Sequence, residues 1–327
     1  MSLAARIGLE HPVVQAGMGG GIAGAALAGA VSAAGGLGTV GIMGERAFTA
    51  ALAEARERAG SGRPLAANLL VPFTRRGHVE ACLRARVAVV VLHGGTLPEV
   101  IRTLTAGGIE VLQTVGTREQ ARRALADGAT GLVAQGRDAG GHLVGVQDTP
   151  QTLAAVLEVA GGTSVWAAGG VAGAADTERL LAAGADAAVA GTRFVLSTES
   201  AAHPGYKQAL VAGTRTVDTK LFGFGWPMRH RVLVNDAVER WGEGPAAVRA
   251  LNERSGRFGA RLPLTLMERY PSVQRLSLPV FTAGPALAGM PDRVLRVAPL
   301  YAGTSVAGLH DVIDAAEAVA CLTPPGR

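Results

Sequence analysis

The stretch Gly131-Leu-Val-Ala-Gln-Gly-Arg-Asp-Ala-Gly-Gly-His142 joins a short apolar run to a glycine pair and an imidazole. Gly131 to Ala134 has the length and apolarity of a strand covered on both faces, and Gln135, Asp138 and His142 follow its carboxyl end. That end of the strands carries the chemistry in α/β barrels and open α/β sheets alike. Gly140 and Gly141 lack a Cβ, so the backbone there can lie flat against a planar ligand before turning His142 toward it. An ordinary strand-to-helix loop with a solvated histidine is the competing account, and the flanking chain decides between the two.

Working outward, the same unit recurs. Val13 to Gln15 ends in a glycine loop followed by a small-residue helix from about Ala23 to Ala34. Gly38 to Val40 precedes a helix from about Phe48 to Ala59, and Leu65 to Leu70 carries Asn68 inside an apolar run. Val87 to Leu92 and Ile109 to Thr114 are each followed by a helical pattern, Leu97 to Ala106 and Thr117 to Ala126. Gly131 to Ala134 is sixth, Val165 to Ala168 seventh and Ala187 to Ala190 eighth. Eight buried strands alternating with helices at spacings of roughly 20 to 30 residues predict a (β/α)8 TIM barrel. A doubly wound sheet usually has fewer strands. Its dinucleotide fingerprint is met only loosely by Gly19, Gly21 and Gly24, with an ambiguous acidic partner between Gly41 and Glu45.

After Phe194 the alternation breaks. Residues 215–280 predict an inserted, mostly helical subdomain, rich in aromatics and carrying the basic cluster Arg229-His230-Arg231. The expected division is a barrel over 1–214, a lid or substrate wall over 215–280, and a segment over 281–327 that returns to the barrel with a helix from about Val306 to Ala320.

Composition narrows the function classes. A chain of 327 residues is long enough for one large α/β domain with a subdomain. Its formal charge of +5 is spread along the chain, with no basic stripe interleaved with aromatics, which argues against nucleic acid. Cys82 and Cys321 match no metal or redox spacing and are expected to be reduced and structural. The amino terminus lacks a secretory pattern and the apolar run from Ile22 to Ala34 is too short to span a bilayer, so a soluble cytoplasmic protein is expected. No carboxylate or His/Cys cluster has metal-ligand spacing, and Ser197 and Ser200 lack a nucleophile elbow.

Two further features point to a ligand. The loops after strands seven and eight, Ala168-Gly-Gly-Val171 and Gly191-Thr-Arg193, place Gly169, Gly170, Gly191 and Thr192 where barrels often bind phosphate. Tight turns are the alternative for either loop alone. Asn68, Gln15, Gln113 and Gln135 put amides at or near strand ends, where they are expected to converge on one mouth, although a buried amide can equally brace a neighbouring loop.

Taken together, Val14-Gln-Ala-Gly-Met-Gly19, Gly35-Gly-Leu-Gly38, Ala67-Asn68, Ala134-Gln-Gly136, Ala139-Gly-Gly-His142, Ala168-Gly-Gly170 and Gly191-Thr-Arg-Phe194 resemble the nitronate monooxygenase family, formerly the 2-nitropropane dioxygenases. The same superfamily includes flavin-dependent enoyl-acyl-carrier-protein reductases. The resemblance implies FMN as cofactor, with its ring over Ala16, Gly17 and Met18, with Asn68, Gln113 and Gln135 near its polar edge, and with its phosphate on Gly169, Gly170, Gly191 and Thr192. It also implies His142 as the active-site histidine and no metal. The implied substrate is a nitronate oxidised with O2 to a carbonyl compound and nitrite. The alternatives are an enoyl thioester reduced at the expense of NAD(P)H, and a barrel that binds FMN or another phosphate ligand without turnover. Inosine-monophosphate-dehydrogenase-like chemistry is disfavoured, because no cysteine follows the sixth strand until Cys321. Pairing into a homodimer suits a barrel of this size, with no stretch specifying the interface.

Two positions depart from the family pattern. Leu92-His-Gly-Gly95 replaces an aromatic-rich end to strand four and adds His93, and Ala302-Gly-Thr304 stands where the family has Ala-Gly-Gln. The segment Trp226-Pro-Met-Arg-His-Arg231 is either a solvated basic loop or a source of cations for an anionic substrate.

Overall fold

The computed structural model describes residues 2–259, 261 and 263–326. Eight parallel strands close the predicted barrel: β1 (Val13–Gln15), β2 (Gly38–Val40), β3 (Leu65–Leu70), β4 (Val89–His93), β5 (Glu110–Val115), β6 (Gly131–Gln135), β7 (Ser164–Ala168) and β8 (Ala187–Ala190). β1 pairs with β8, and the parallel bridge between Val14 and Leu37 joins β1 to the start of β2. These runs form strands because apolar, often β-branched residues are buried on both faces, one toward the interior and one toward the helices.

The two-residue period sorts each strand. Val14, Ala66, Val89, Leu112, Val133, Trp166 and Val189 fill the barrel interior, where fully buried Trp166 supplies bulk among small residues. Their neighbours Leu65, Ala67 and Leu69 of β3, Val90 and Leu92 of β4, and Val111 of β5 pack against helices. Parity also decides which polar residues reach the cavity. Asn68 shares the inward set with Ala66, and Thr114 shares it with Leu112. Gln113, between Val111 and Val115, belongs to the outward set.

Beyond β8 the pattern departs from the expectation in two ways. Residues 215–280 contain the helices Asp236–Trp241, Ala246–Gly259 and Leu264–Arg269, but they open with an antiparallel pair, Thr216–Thr219 against His230–Leu233. This pair extends onto Gly141–His142, with His230 opposite His142 and Arg231 opposite Gly141. The helix expected from Val306 to Ala320 is instead a 3-10 turn, Thr304–Gly308, an extended stretch, and a helix, Ala315–Leu322. Tertiary contacts explain the break. Buried Arg193 donates to the Asp311 carboxylate at 2.6 Å and to its carbonyl at 2.7 Å, and Ile313 N–H donates to Leu196 O at 3.2 Å. The helix restarts where Asp314 caps it, accepting from Glu317 N–H at 2.8 Å.

Of the two cysteines, Cys82 is buried and Cys321 is exposed on the last helix, so only the first is a core residue. Both are free thiols, and burial pushes the Cys82 thiol up to about 12. No helix among the described residues is long and apolar enough to cross a membrane.

Candidate active site

A cavity of about 240 Å³ opens at the carboxyl ends of the strands. Ala16, Gly17, Met18, Asn68, Gln135, Gly140, Gly141, His142, Gly169, Gly170, Gly191 and Thr192 all line it, so chain positions from 16 to 192 meet in one place. Gln113 does not line it. Facing the helix layer, it donates from Nε2 to Leu92 O at 3.2 Å, and its Oε1 is buried without a partner among the described residues.

The amides act mainly on backbone. Gln15 accepts from Thr39 N–H at 2.9 Å, tying β1 to β2, and Asn68 donates to Val91 O at 3.1 Å. Gln135 donates to His142 O at 3.0 Å and accepts from Val144 N–H at 2.8 Å, so the last residue of β6 clamps the loop that carries the histidine. Gly17 and Gly140 are required by protein packing. A Cβ on Gly17 would lie 2.1 Å from Asn68 Cβ, and one on Gly140 would lie 2.6 Å from the Ala302 carbonyl carbon.

The loops after β7 and β8 form the polar floor. Gly169 and Gly170 both have positive φ, at 125° and 74°. The N–H groups of Gly170, Gly191 and Thr192 donate to no other residue among those described, whereas Ala172 and Gly173 give theirs to Asp176. Thr192 Oγ1 accepts from Gly303 N–H at 3.0 Å, which brings the C-terminal segment onto this floor. Free backbone donors turned into a cavity are suited to an anion such as a phosphate.

The opposite wall is built of rings. The His142 ring centroid lies 3.9 Å from that of Trp226, 5.1 Å from His230 and 5.5 Å from Tyr301. Nε2 of His142, Nε2 of His93 and both nitrogens of His230 are buried without a partner among the described residues. Burial is the main cause that holds all three imidazoles neutral. It pushes His93 down to about 4 and His230 to about 3, the latter helped by Arg229. His142 falls well below the ordinary histidine value through burial, then through His230 and His93. Glu268, at the cavity margin, is raised by burial and accepts from Gly44 N–H at 3.2 Å.

The basic cluster is neither a solvated loop nor a reserve of free cations. Arg229 pairs with Glu243 at 2.9 Å, Arg231 pairs with Asp218 at 2.8 Å and donates to Arg137 O at 2.9 Å, and His230 is fully buried between them. The part of this segment that faces the cavity is Trp226, which was not singled out from the sequence. Its signal there was a lone tryptophan in a Gly-Trp-Pro turn of the insert. Tyr206 and Tyr301, which also line the cavity, were passed over in the sequence, although Gly205 immediately precedes the first and Gly303 follows the second by two positions.

The chain and its fold have counterparts among known proteins. The family model described as nitronate monooxygenase matches residues 2–78 and 71–265. A (3aS,4S,5R,7aS)-5-hydroxy-7a-methyl-1-oxo-octahydro-1H-indene-4-carboxyl-CoA dehydrogenase of Mycobacterium tuberculosis is 35% identical, the match covering 74% of this chain and 68% of that protein. A nitronate monooxygenase of Pseudomonas aeruginosa is 33% identical over 66% of this chain and 74% of its own length. Among solved structures, FabK from Thermotoga maritima superposes with a TM-score of 0.76 at 25% identity, over 98% of this chain and 94% of its own. A nitroalkane oxidase from Streptomyces ansochromogenes superposes with a TM-score of 0.77 at 27% identity, over 98% and 96%. The chain, an oxidoreductase by the company of these relatives, belongs to the nitronate monooxygenase family.

Proposed function

We propose that this chain is an FMN-dependent oxidoreductase acting on a carbon acid, a substrate whose C–H bond is acidified by a neighbouring electron-withdrawing group, with His142 as the proton-handling residue. The observation that carries this is the neutral His142 ring in the cavity wall, opposite a floor of free backbone donors. A neutral imidazole carries a free lone pair that can take the substrate proton, and the negative charge developing on the substrate offsets the burial cost of the imidazolium so formed.

The residues fit a phosphorylated planar cofactor. Gly170, Gly191 and Thr192 would hold the FMN phosphate on their free N–H groups, with Gly169 supporting the turn, and Ala16 to Met18, Asn68 and Gln135 would border the ring. FMN, when bound, supplies the acceptor for the electron pair leaving the substrate. Gln135 holds the His142 backbone, so that the imidazole receives the proton from a fixed position.

In the first reading the substrate is a nitroalkane or its nitronate, oxidised with O2 to a carbonyl compound and nitrite. The family and the nitroalkane oxidase likeness support it. A second reading, a CoA-type thioester exchanging hydride with FMN and NAD(P)H, is favoured by the 35% identity to a carboxyl-CoA dehydrogenase. Residues 215–280 serve in both as a substrate wall over the barrel mouth.

Anaerobic mixing of the flavin-loaded protein with an alkyl nitronate, a neutral nitroalkane, an acyl-CoA, NADH and NADPH, each alone, tests the proposal. Bleaching of the visible flavin band by a nitro compound supports the first reading. Bleaching by a nicotinamide or the thioester supports the second. A protein that retains no flavin after reconstitution would sink both.

A further inference from the structure

Trp226 reaches the cavity from the insert rather than from the barrel. Its indole lies over the His142 imidazole with ring centroids 3.9 Å apart and planes inclined by 25°. Phe73 meets the indole edge-on at 5.5 Å and 86°, and His93 does so at 6.2 Å and 87°. The side chain is wedged between these rings at 7% exposure, so its plane is fixed. The segment that bears it is pinned too. Gly225 N–H donates to Ser255 Oγ at 2.8 Å, and Trp226 N–H donates to Gly223 O at 3.1 Å.

We propose that Trp226 is a positioning residue for His142: its indole fixes the plane of the imidazole and covers one face against water, so that the substrate meets the ring in a single orientation. A stacked pair of this strength biases ring orientation by roughly twofold to tenfold, and the Gln135 clamp on the His142 backbone completes the restraint. The proposal rests on His142 as the proton-handling group. The ionisable groups packed around that ring are His230 from the insert, His93 from the end of β4 and Tyr301 from the C-terminal segment, with Asp138 and Glu268 elsewhere on the cavity lining. Because burial is the first cause of the low proton affinity of His142, removing the indole admits water and raises that affinity.

The test follows the Cε1 carbon of His142 by NMR in flavin-loaded protein carrying 13C-labelled histidine, from about pH 8 to about pH 5, the span over which an unperturbed imidazole titrates. In the unchanged protein the His142 signal is expected to stay flat. In Trp226→Ala it should titrate close to the ordinary histidine value, and the acidic limb of the kcat/KM profile should move up in pH with kcat down roughly tenfold to a hundredfold. Trp226→Phe, which keeps an aromatic face, should restore the flat signal. Phe73→Leu removes one support of the indole and gives a smaller shift in the same direction, which serves should the alanine variant fail to fold. A folded, flavin-retaining Trp226→Ala protein in which His142 still does not titrate would overturn the proposal. So would a Phe variant as perturbed as the Ala variant. Failure of the His142 role itself reads differently: His142→Ala would keep full turnover, while the effect of Trp226 on the titration stood.

Discussion

The cavity has two unlike walls. One is the glycine floor after β7 and β8, where Gly170, Gly191 and Thr192 present backbone donors from the ends of two paired strands and Gly169 shapes the turn. The other is the ring wall, where His142, His230, Trp226 and Tyr301 come from three distant stretches of chain. Backbone N–H groups do not titrate, so any pH dependence of binding on the floor should come from the ligand's phosphate, whose second ionisation lies at about pH 6. The imidazoles of the ring wall are buried without partners, so proton chemistry is concentrated there and stability is spent on keeping them neutral. Under the proposed function, the difference separates binding from chemistry within a single pocket.

The sharpest way to break this division is His142→Ala. Turnover is expected to fall by about 10²- to 10⁴-fold, the usual scale for a positioned acid or base, while flavin content stays unchanged. Equal losses of both, measured by stopped-flow reduction and by absorbance, would merge the two walls into one functional unit.

The mirror experiment is Gly169→Ala. The added Cβ would meet Thr149 Oγ1 at 2.4 Å on a backbone at φ 125°, so a loss of about 1–3 kcal/mol in stability is expected together with weakened flavin retention. The difference in Tm between flavin-loaded and flavin-free protein should shrink relative to the parent. A normal difference would show that the floor does not bind the phosphate.

Acid should act through the ring wall. His93 and His230 bind protons less readily when folded, at about 4 and about 3, than when unfolded near 6.5. Below about pH 6.5 the unfolded chain therefore takes up protons that the folded chain refuses. Holding them neutral costs nothing above that pH, where the unfolded chain is neutral too, and costs stability increasingly as pH falls toward the folded values. On the order of 2 kcal/mol should disappear for each residue between about pH 7 and about pH 5. Urea unfolding at the two pH values measures it, and His93→Phe and His230→Phe should each flatten the difference. A slope unchanged in both variants would place the acid sensitivity elsewhere.

The smallest effect is expected at Arg229→Ala. Its partner Glu243 is as exposed as it is, so stability should change by less than about 1 kcal/mol and KM hardly at all. A large rise in KM for a CoA thioester alone would give this cation a substrate role and tilt the choice toward the thioester reading.

The barrel was legible because its signals are local. Apolar runs of strand length recur eight times, all but β3 followed closely by a glycine, and seven of the eight strands begin within one residue of where periodicity puts them, with only β4 starting two residues later. The glycine floor was legible for the same reason. Gln113 was misplaced because residue type alone does not reveal strand parity. One position separates it from Thr114, which lines the cavity, and that single step turns a side chain from the interior to the helix layer. The helix expected from Val306 was overruled by a buried arginine more than a hundred residues away.

By itself the sequence determined the (β/α)8 architecture, the strand ends that meet at the cavity and the histidine in its lining, because hydrophobic period and glycine placement act over a few residues. Only the tertiary structure decided what surrounds that histidine. His142 acquired Trp226, His230 and Tyr301 as neighbours, and lost Arg229 and Arg231 to carboxylates, because antiparallel pairing of His230 with His142 brings the insert onto the barrel. Contacts between segments so far apart in the chain leave no periodic trace in either one.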